Sequence, residues 1–504
     1  MKNLKYGLGL AFLGLASHAF AQNETDALRY SRVQFGGPAR ALGIGGATSA
    51  VGANLGSLVS NPAGLGLYVK SDASITPGFG NLSTKAQAGS TSINDQRSSL
   101  VLSNLGVAFT NRLPDDDNSS EWRSGTFAFG ITRLNDFNSR VHYRNTTTDD
   151  RSLFQRLREP RVSYDDIDQE YQDNAYTSLD GLAYGAYLTN FYRSRLNGGD
   201  SLGTIRRANA IEQEETIETS GGQTQFDFGY GASFRDKIYI GGALGIVSTR
   251  YKETRDFRET DNDPNTPFSS LLRRNTLETR GTGVNFRLGV IYRPADYMRF
   301  GLSVQTPTFS KLTDTYGASI QSDFSSEPYA GAGVTSASES TQPGEYTYQL
   351  TTPFRATGGA VFLLGKYAFL SGDVEYVNYN QARLSGADGD GASVFSVENE
   401  AISTTYGKAF NYRAGIEGRF EVFRVRAGYA RYGDPFKTTA FDRAQNFYTA
   451  GVGFAQRNFY LDLAGVYNTD DSYTSSYTLA SGRQPVVGVK GDRFVTSVTV
   501  GVNF

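Results

Sequence analysis

"FVTSVTVGVNF", residues 494–504, alternates without a break. Phe494, Thr496, Val498, Val500, Val502 and Phe504 fall on one face, and Val495, Ser497, Thr499, Gly501 and Asn503 on the other. Period-2 patterning of this kind is the mark of a β-strand with one apolar face. The rhythm recurs in "NFYLDLAGVY" (458–467), where Phe459, Leu461, Leu463 and Tyr467 oppose Asp462 and Ala464. In "FRVRAGY" (423–429) Phe423, Val425, Ala427 and Tyr429 oppose Arg424 and Arg426, and in "QFDFGYGASF" (225–234) Phe226, Phe228, Tyr230 and Phe234 oppose Asp227 and Ser233. A soluble sandwich turns such apolar faces inward, and a membrane barrel turns them outward. Long strands with aromatics near their ends favour the barrel.

The connections point the same way. From about residue 225 onward they alternate between very short and long. Arg235-Asp236-Lys237, Pro294-Ala295-Asp296, Gly365-Lys366, Phe420-Glu421 and Gln456-Arg457-Asn458 are short. Between them lie polar stretches at 253–275, 312–343, 384–408, 434–444 and 469–489. Outer-membrane barrels have tight periplasmic turns and long extracellular loops. Strands are expected near 71–79, 99–110, 123–134, 223–235, 237–252, 276–293, 297–311, 344–364, 366–383, 409–420, 422–433, 445–456, 457–468 and 490–504. "NRLPDDDNSSEW" (111–122) must then be a periplasmic turn and is long for one, so twelve or sixteen strands stay open. The expected fold is an all-β transmembrane barrel of about fourteen antiparallel strands.

Composition agrees: 57 Gly, 33 Phe and 31 Tyr accompany a single Trp, the aromatic- and glycine-rich mix of a lipid-facing barrel. Lys2 and Lys5, the apolar run Leu8–Leu15 and Ala19-Phe20-Ala21 read as a signal peptide over 1–21, with the outer membrane of a Gram-negative bacterium as destination. The apolar run is too short to span a bilayer, and no other stretch is long enough to form a transmembrane helix. The net charge of −2 argues against a nucleic-acid partner. With no Cys and only His142 beyond the leader, thiolate metal sites are excluded and a zinc site is not expected. No G-x-S-x-G elbow is present and no enzyme is expected. No cofactor or metal is expected. "DGDG" (388–391) and "DNDPN" (261–265) lack the full pattern of a calcium loop and read as solvated loop.

Two segments fall outside the hairpins. In the excursion 135–222, "SLDGLAYGAYLTNFY" (178–192) places Leu179, Leu182, Ala183, Ala186 and Phe191 at helical spacing, predicting a short amphipathic extracellular helix. It either packs on neighbouring loops or holds an apolar ligand. The front segment, 22–70, ends in "SNPAGLGLY" (60–68), half apolar and rich in Gly and Pro. Asn-Pro is a turn signal.

Here the sequence resembles the FadL (outer-membrane protein transport, TodX-like) family. The likeness rests on "ALRYSRVQFGGPARALGIGGATSAVGANLGSLVSNPAGLGLY" (27–68), with Gly43, Gly45-Gly46-Ala47, Ala50-Val51-Gly52 and the motif Asn61, Pro62, Ala63, Gly64 and Leu65. "YRPADYMRFGLSVQTPTF" (292–309), "TPFRATGGAVFLLGKYAFLSGDVEYVNY" (352–379) and "NYRAGIEGRFEVFRVRAGYARYGDPF" (411–436) are similar to later hairpins of the family, and the closing Phe504 to the terminal aromatic of such barrels.

The resemblance implies a hatch over 22–70 that plugs a barrel over 71–504. It also implies passive, ligand-gated uptake of a hydrophobic compound, most of all a long-chain fatty acid, which leaves sideways through the wall. Burying an acyl chain is worth about 0.8 kcal/mol per CH₂, which a greasy route keeps and a wet pore forfeits. A hydrophobic small molecule and outer-membrane lipid are the expected partners, and the protein is expected to be a monomer. Leu179, Leu182, Tyr184, Tyr187, Leu188 and Phe191 are candidates for apolar contact. Arg287, Arg424 and Arg426, expected to face the lumen, are candidates for a fatty-acid carboxylate, unless they pair with Asp227, Asp373, Glu375 or Asp462. Relatives that act as scaffold or cargo shuttle in type IX-like secretion, or as haemin or aromatic-hydrocarbon receptors, give the alternatives.

Overall fold

The computed structural model describes residues 24–117, 119–193, 200–208, 210–329, 331–387, 394–438 and 442–504. The expected leader and "DGDG" (388–391) lie outside these residues.

Antiparallel strands close into one barrel. They are β1 (Asp72–Ala88), β2 (Thr91–Arg112), β3 (Trp122–Asp136, continued by Ser139–Thr147), β4 (Ile211–Phe234), β5 (Ile238–Thr260), β6 (Phe268–Ala295) and β7 (Met298–Gln305, continued by Phe309–Phe324). The circuit continues through β8 (Gly344–Thr351 and Arg355–Leu364), β9 (Ala368–Asn378 and Arg383–Gly386), β10 (Lys408–Phe420), β11 (Phe423–Tyr432), β12 (Gln445–Gln456), β13 (Phe459–Thr474) and β14 (Val487–Asn503). With each interrupted strand counted once, fourteen strands make the circuit. β14 pairs with β1 from Asp72↔Asn503 to Gln87↔Gly488 and shuts the ring.

The expected alternation is present, and its apolar side faces out. Phe494, Val500 and Val502 on β14, Leu461 and Leu463 on β13, Val425 on β11 and Phe228 on β4 are exposed, while Ser497, Thr499 and Asp227 on the opposite face are buried. An apolar band outside and a polar interior is the pattern of a barrel embedded in lipid, and it excludes the sandwich. The short turns use left-handed residues, with φ of 54° and 51° at Arg235 and Asp236, 52° at Glu421 and 50° at Arg457, as tight hairpins require.

The strands are longer than the sequence suggests. The first hairpin runs through 80–98, which carries no apolar alternation, and β5, β6 and β7 extend well into the stretches expected as loops at 253–275 and 312–343. Above the lipid both faces of a strand meet water or polar loops, so alternation fades while backbone pairing continues. Two neighbouring strands, β7 and β8, also break, at Pro307 and Pro353, where proline removes a ladder donor.

The front segment lies inside the barrel. It contains α1 (Glu24–Ser31), α2 (Ala39–Gly43) and two 3-10 turns, Leu55–Leu58 and Pro62–Leu67. Ala39, Ile44, Ala47, Leu55, Leu58, Ala63 and Leu65 are all buried. A fourteen-stranded barrel is too wide for wall side chains to fill, and this segment fills it.

The wall is hollowed by glycine to take it. Gly231 pairs with Gly241, and Gly241 with Gly289, in a row across β4, β5 and β6. A Cβ on Gly231 would lie 2.7 Å from Leu65 Cβ, on Gly241 2.4 Å from the Pro62 carbonyl and on Gly289 1.8 Å from Asn61 Oδ1. A second pair, Gly301↔Gly359, lies against Ser49, and a third, Gly415↔Gly428, against Ile44.

The extracellular excursion folds into α3 (Leu153–Leu157), α4 (Tyr164–Gln172) and α5 (Leu179–Gly185). The helix expected over 178–192 stops at Gly185; Tyr187 takes φ 56° and Thr189–Arg193 forms a short strand. Gly185 and the β-branched and aromatic run that follows it end the helix. A further helix, α6 (Ser396–Thr405), follows β9.

Candidate functional site

The hatch motif is a joint between plug and wall. Asn61 Oδ1 accepts from Ala63 N at 3.1 Å and caps the turn, while Nδ2 donates to Ser49 O at 2.7 Å and to Val290 O of β6 at 3.2 Å. Pro62 opens the turn, where its missing N–H does no harm. Gly64 O accepts from Ala53 N at 2.9 Å, and a Cβ on Gly64 would lie 2.6 Å from Ser57 Oγ. Leu65 packs with Leu55, Leu58 and Tyr68 against Ala108, Ala128 and Ala243 of the wall.

Further pins ring the hatch. Asp373 accepts from Ser49 N at 3.0 Å and from Ser49 Oγ. Arg40 Nε meets Glu417 at 3.1 Å, and the Glu417 carboxylate holds the Arg40 guanidinium above its ordinary value. Arg287 donates to Leu58 O at 3.2 Å, Arg299 to Val51 O at 3.1 Å and Arg355 to Ser31 O. These bonds satisfy backbone that the irregular hatch leaves unpaired.

The candidate cations are placed as follows. Arg287 is buried and surrounded by Asp227 at 2.8 Å, Gln225 at 2.9 Å and Gln305 at 3.0 Å. Arg426 is buried between Glu417 at 2.8 Å and Asp462 at 2.6 Å. Two of the pairings considered from sequence are therefore present. Asp373 instead holds the hatch, and Glu375 pairs with Arg355 and Arg413, both at 3.0 Å. Arg424 sits at the short-turn end and donates to the Glu421 and Phe423 carbonyls.

The candidate apolar residues gather in the core of the extracellular excursion. Leu182 and Leu188 are fully buried in a cluster with Leu153, Phe154, Leu157, Phe257, Phe268 and Leu271, and Leu179 and Tyr187 pack at its edge. Tyr184 and Phe191 stack on each other at 4.6 Å between ring centres. Arg156 and Asp180, also buried, are paired at 3.0 Å beneath them. This is the core of a cap that rests on the upper ends of β5, β6 and β7. "DNDPN" (261–265) is a self-bonded turn of that cap, with Asp261 accepting from Asp263 N at 2.9 Å and Ala208 N at 2.7 Å.

The feature that sequence reasoning did not find is a parting of the wall. β2 pairs with β1 along nearly its whole length, but with β3 only from Asn104↔Thr132 down to Arg112↔Ser124. Above Asn104 no backbone pairing joins them among the described residues. β3 shifts register against β4 between Arg133 and Asn135, an irregularity that bends the strand. Side chains bridge the seam: from β2, Ser99 Oγ donates to Asp136 at 3.0 Å and Asp95 pairs with Arg140 at 3.2 Å, and from β14 Arg493 reaches across to Asp136 at 2.6 Å and to Asn138 O at 2.9 Å. The hatch lies against the bend. Gln34 N donates to Leu134 O at 3.2 Å, Asn135 Nδ2 to Arg32 O at 3.0 Å, and a Cβ on Gly36 would lie 2.7 Å from Arg133 O.

Three cavities converge there. One of about 360 Å³ opens beside Leu28, Arg29 and Phe137. One of about 90 Å³ lies at the seam beneath Val101 and Ser103, with Phe35, Leu42 and Phe447. A polar one of about 80 Å³ lies between hatch and wall, with Arg287, Arg355, Glu375 and Arg413. Gln34 lines all three. Outside the barrel, Leu100 and Leu102 of β2 are exposed just above the point where the strands separate. The arrangement is a plugged barrel with a stretch of wall that side chains close where backbone pairing stops, and with small, partly apolar cavities behind it.

No family model matches the chain, and no curated protein matches it. Among solved structures, a FadL homologue from Pseudomonas aeruginosa is similar at 12% identity and TM-score 0.55, over 94% of this chain and 99% of that one. The toluene transporter TodX from P. putida is similar at 10% identity and TM-score 0.51, over 93% of this chain and 99% of that one. The chain shares the fold of these plugged barrels.

Proposed function

We propose that this protein is an outer-membrane transporter that takes up hydrophobic compounds passively and releases them sideways through the seam between β2 and β3. The observation that carries the reading is the seam itself, parted above Asn104 and Thr132, with hatch residues Gln34–Gly36 against its inner side. A fully paired wall offers no gap in its backbone ladder; this one is closed over that stretch by the side chains of Ser99 and Asp136 and of Asp95 and Arg140. The likeness in fold to a FadL homologue and to a toluene transporter supports the same reading.

Long-chain fatty acids are the first substrate class, from the family resemblance of the hatch motif. Uncharged or aromatic hydrocarbons are the second, and one observation favours them: Arg287 and Arg426, the buried candidates for a carboxylate, are already occupied by Asp227, Glu417 and Asp462. A secreted protein as cargo would require the whole hatch to leave its pins, so the pinned hatch supports a small molecule.

The test uses a lock. The chain has no cysteine, so Ser99→Cys with Asp136→Cys places a single oxidisable pair across the seam. Uptake of labelled oleate and of labelled toluene is measured in proteoliposomes before oxidation, after it, and after reduction. Lateral release predicts at least a fivefold loss on oxidation, restored by reducing agent, and the substrate that responds identifies the class. Uptake indifferent to a verified cross-link would defeat the reading.

A further inference from the structure

A fourth cavity, of about 420 Å³, lies at the opposite end of the barrel from the cap, between the last turn of the hatch and the strand ends of β10–β13. It is lined by Lys70, Arg40, Arg419, Arg424 and Arg426, against which stand Asp72, Glu417 and Asp462. Five cations thus face three carboxylates, and the carboxylates are already engaged. Glu417 is shared by Arg40, Arg419 and Arg426 at 3.1, 2.9 and 2.8 Å. Asp462 pairs with Arg426, and Asp72 accepts from the Tyr68 and Tyr460 hydroxyls at 3.1 and 2.9 Å.

Arg424 is the cation left over. It makes no ion pair with any described residue and donates only to carbonyls of its own turn, at 2.8 and 3.1 Å. Lys70 is exposed and holds only the Asn458 amide, at 3.0 Å. One part of the same lining is apolar, with Leu55, Leu67 and Val69. A concave site with an apolar side and a few convergent charges is the form that a small ligand with one charged end requires. A guanidinium without a carboxylate partner is suited to oxyanions.

We propose that this pocket is a binding site for an anionic amphiphile, with a phosphate or carboxylate head at Arg424 and Lys70 and a short apolar body against Leu55, Leu67 and Val69. It lies on the far side of the hatch from the seam and does not depend on what passes through the wall. The pocket also contains the Arg40–Glu417 pin, so its occupant touches hatch and wall together.

The test is calorimetric titration of the full-length mature protein in phosphatidylcholine nanodiscs. The probes are hexyl phosphate, hexanoate, inorganic phosphate and hexanol. Hexyl phosphate or hexanoate is expected to bind, and which of the two binds more tightly identifies the head group. Arg424→Gln should weaken that binding at least tenfold, Lys70→Gln about threefold, and Arg424→Lys should restore most of it. Heat-modifiable migration in gels confirms that each variant barrel is folded. Three results would overturn the proposal: unchanged affinity in folded Arg424→Gln, hexanol binding as tightly as the anions, or inorganic phosphate binding as tightly as hexyl phosphate. The last would mean a bare anion site with no use for an apolar body.

Discussion

Asn61 fills the space that a side chain on Gly289 would need: its Oδ1 lies 1.8 Å from where a Cβ would stand. The same amide holds Val290 O and Ser49 O, so plug and wall are locked at a place where neither has room to shift. Gly289→Val must push Asn61 out of its cap. Overpacking of this sort costs about 1–3 kcal/mol, and it falls on the hatch rather than on strand pairing. Single-channel recording should show frequent openings in Gly289→Val. Gly358→Val is the control, since nothing lies within 4 Å of its Cβ position, and it should stay as silent as the parent.

Removal of the hatch gives a larger effect. A protein lacking residues 23–60 should raise conductance in planar bilayers from near zero to porin-like values and lose discrimination between hydrophobic and small polar solutes. The wall residues Asp373, Arg299 and Arg355 would then face water, which can replace the lost hydrogen bonds. Equal conductance with and without the segment would mean that it is no plug.

Leu182 tests the cap. It is fully buried among Leu153, Phe154 and Leu157, so Leu182→Asp places an unpaired carboxylate in an apolar core. The penalty is roughly 3–5 kcal/mol, confined to the cap because the strands below are held by their own ladders. Trypsin added to intact cells should cut the variant within 149–208 much faster than the parent, with the barrel still resistant.

Arg207 and Glu259 give a cycle within that cap. Both side chains have no exposure and stand in contact, and the guanidinium lies 3.5 Å from the centre of the Phe154 ring. Breaking one side leaves a buried charge, at about 3–5 kcal/mol for Arg207→Met or Glu259→Leu alone. The double variant should be closer to the parent than either single one. Protease resistance of the cap, followed against urea, reads all four corners.

Much of this architecture is legible in the residues, and the part that is not has a physical reason. Alternation in 494–504 and 458–467 gives strands because lipid and lumen impose opposite demands on successive side chains. The same rule explains why 80–98 reads as loop: above the membrane both faces are wet, and pairing leaves no mark in the residue types. That inward arginines pair with inward carboxylates was legible, because opposite charges there must neutralise each other; which carboxylate takes Arg287 and which takes Arg426 was not, because strand register decides it. The glycine row 231, 241 and 289 was not, since three residues far apart in sequence become neighbours only through the register of two strand pairs. The seam is harder still. It is a stretch in which β2 and β3 lack mutual pairing, and both strands carry ordinary strand residues on either side of it. Leu182 and Leu188 show the converse: apolar spacing located a real packed core but could not say that its partners are neighbouring loop helices and the upper ends of β5, β6 and β7.

The ring is sealed by its first and last strands, β1 and β14, and the plug precedes β1 in the chain. Its seats are hollows spread over β4–β11. A finished cylinder would admit so irregular a segment only through its ends, past the cap or the tight turns. The plug must therefore be in place while the sheet is still an open, curling ribbon, and the wall curls around it. On this account the plug is enclosed rather than inserted: it precedes β1 in the chain, and the ring shuts around it when β14 finds β1.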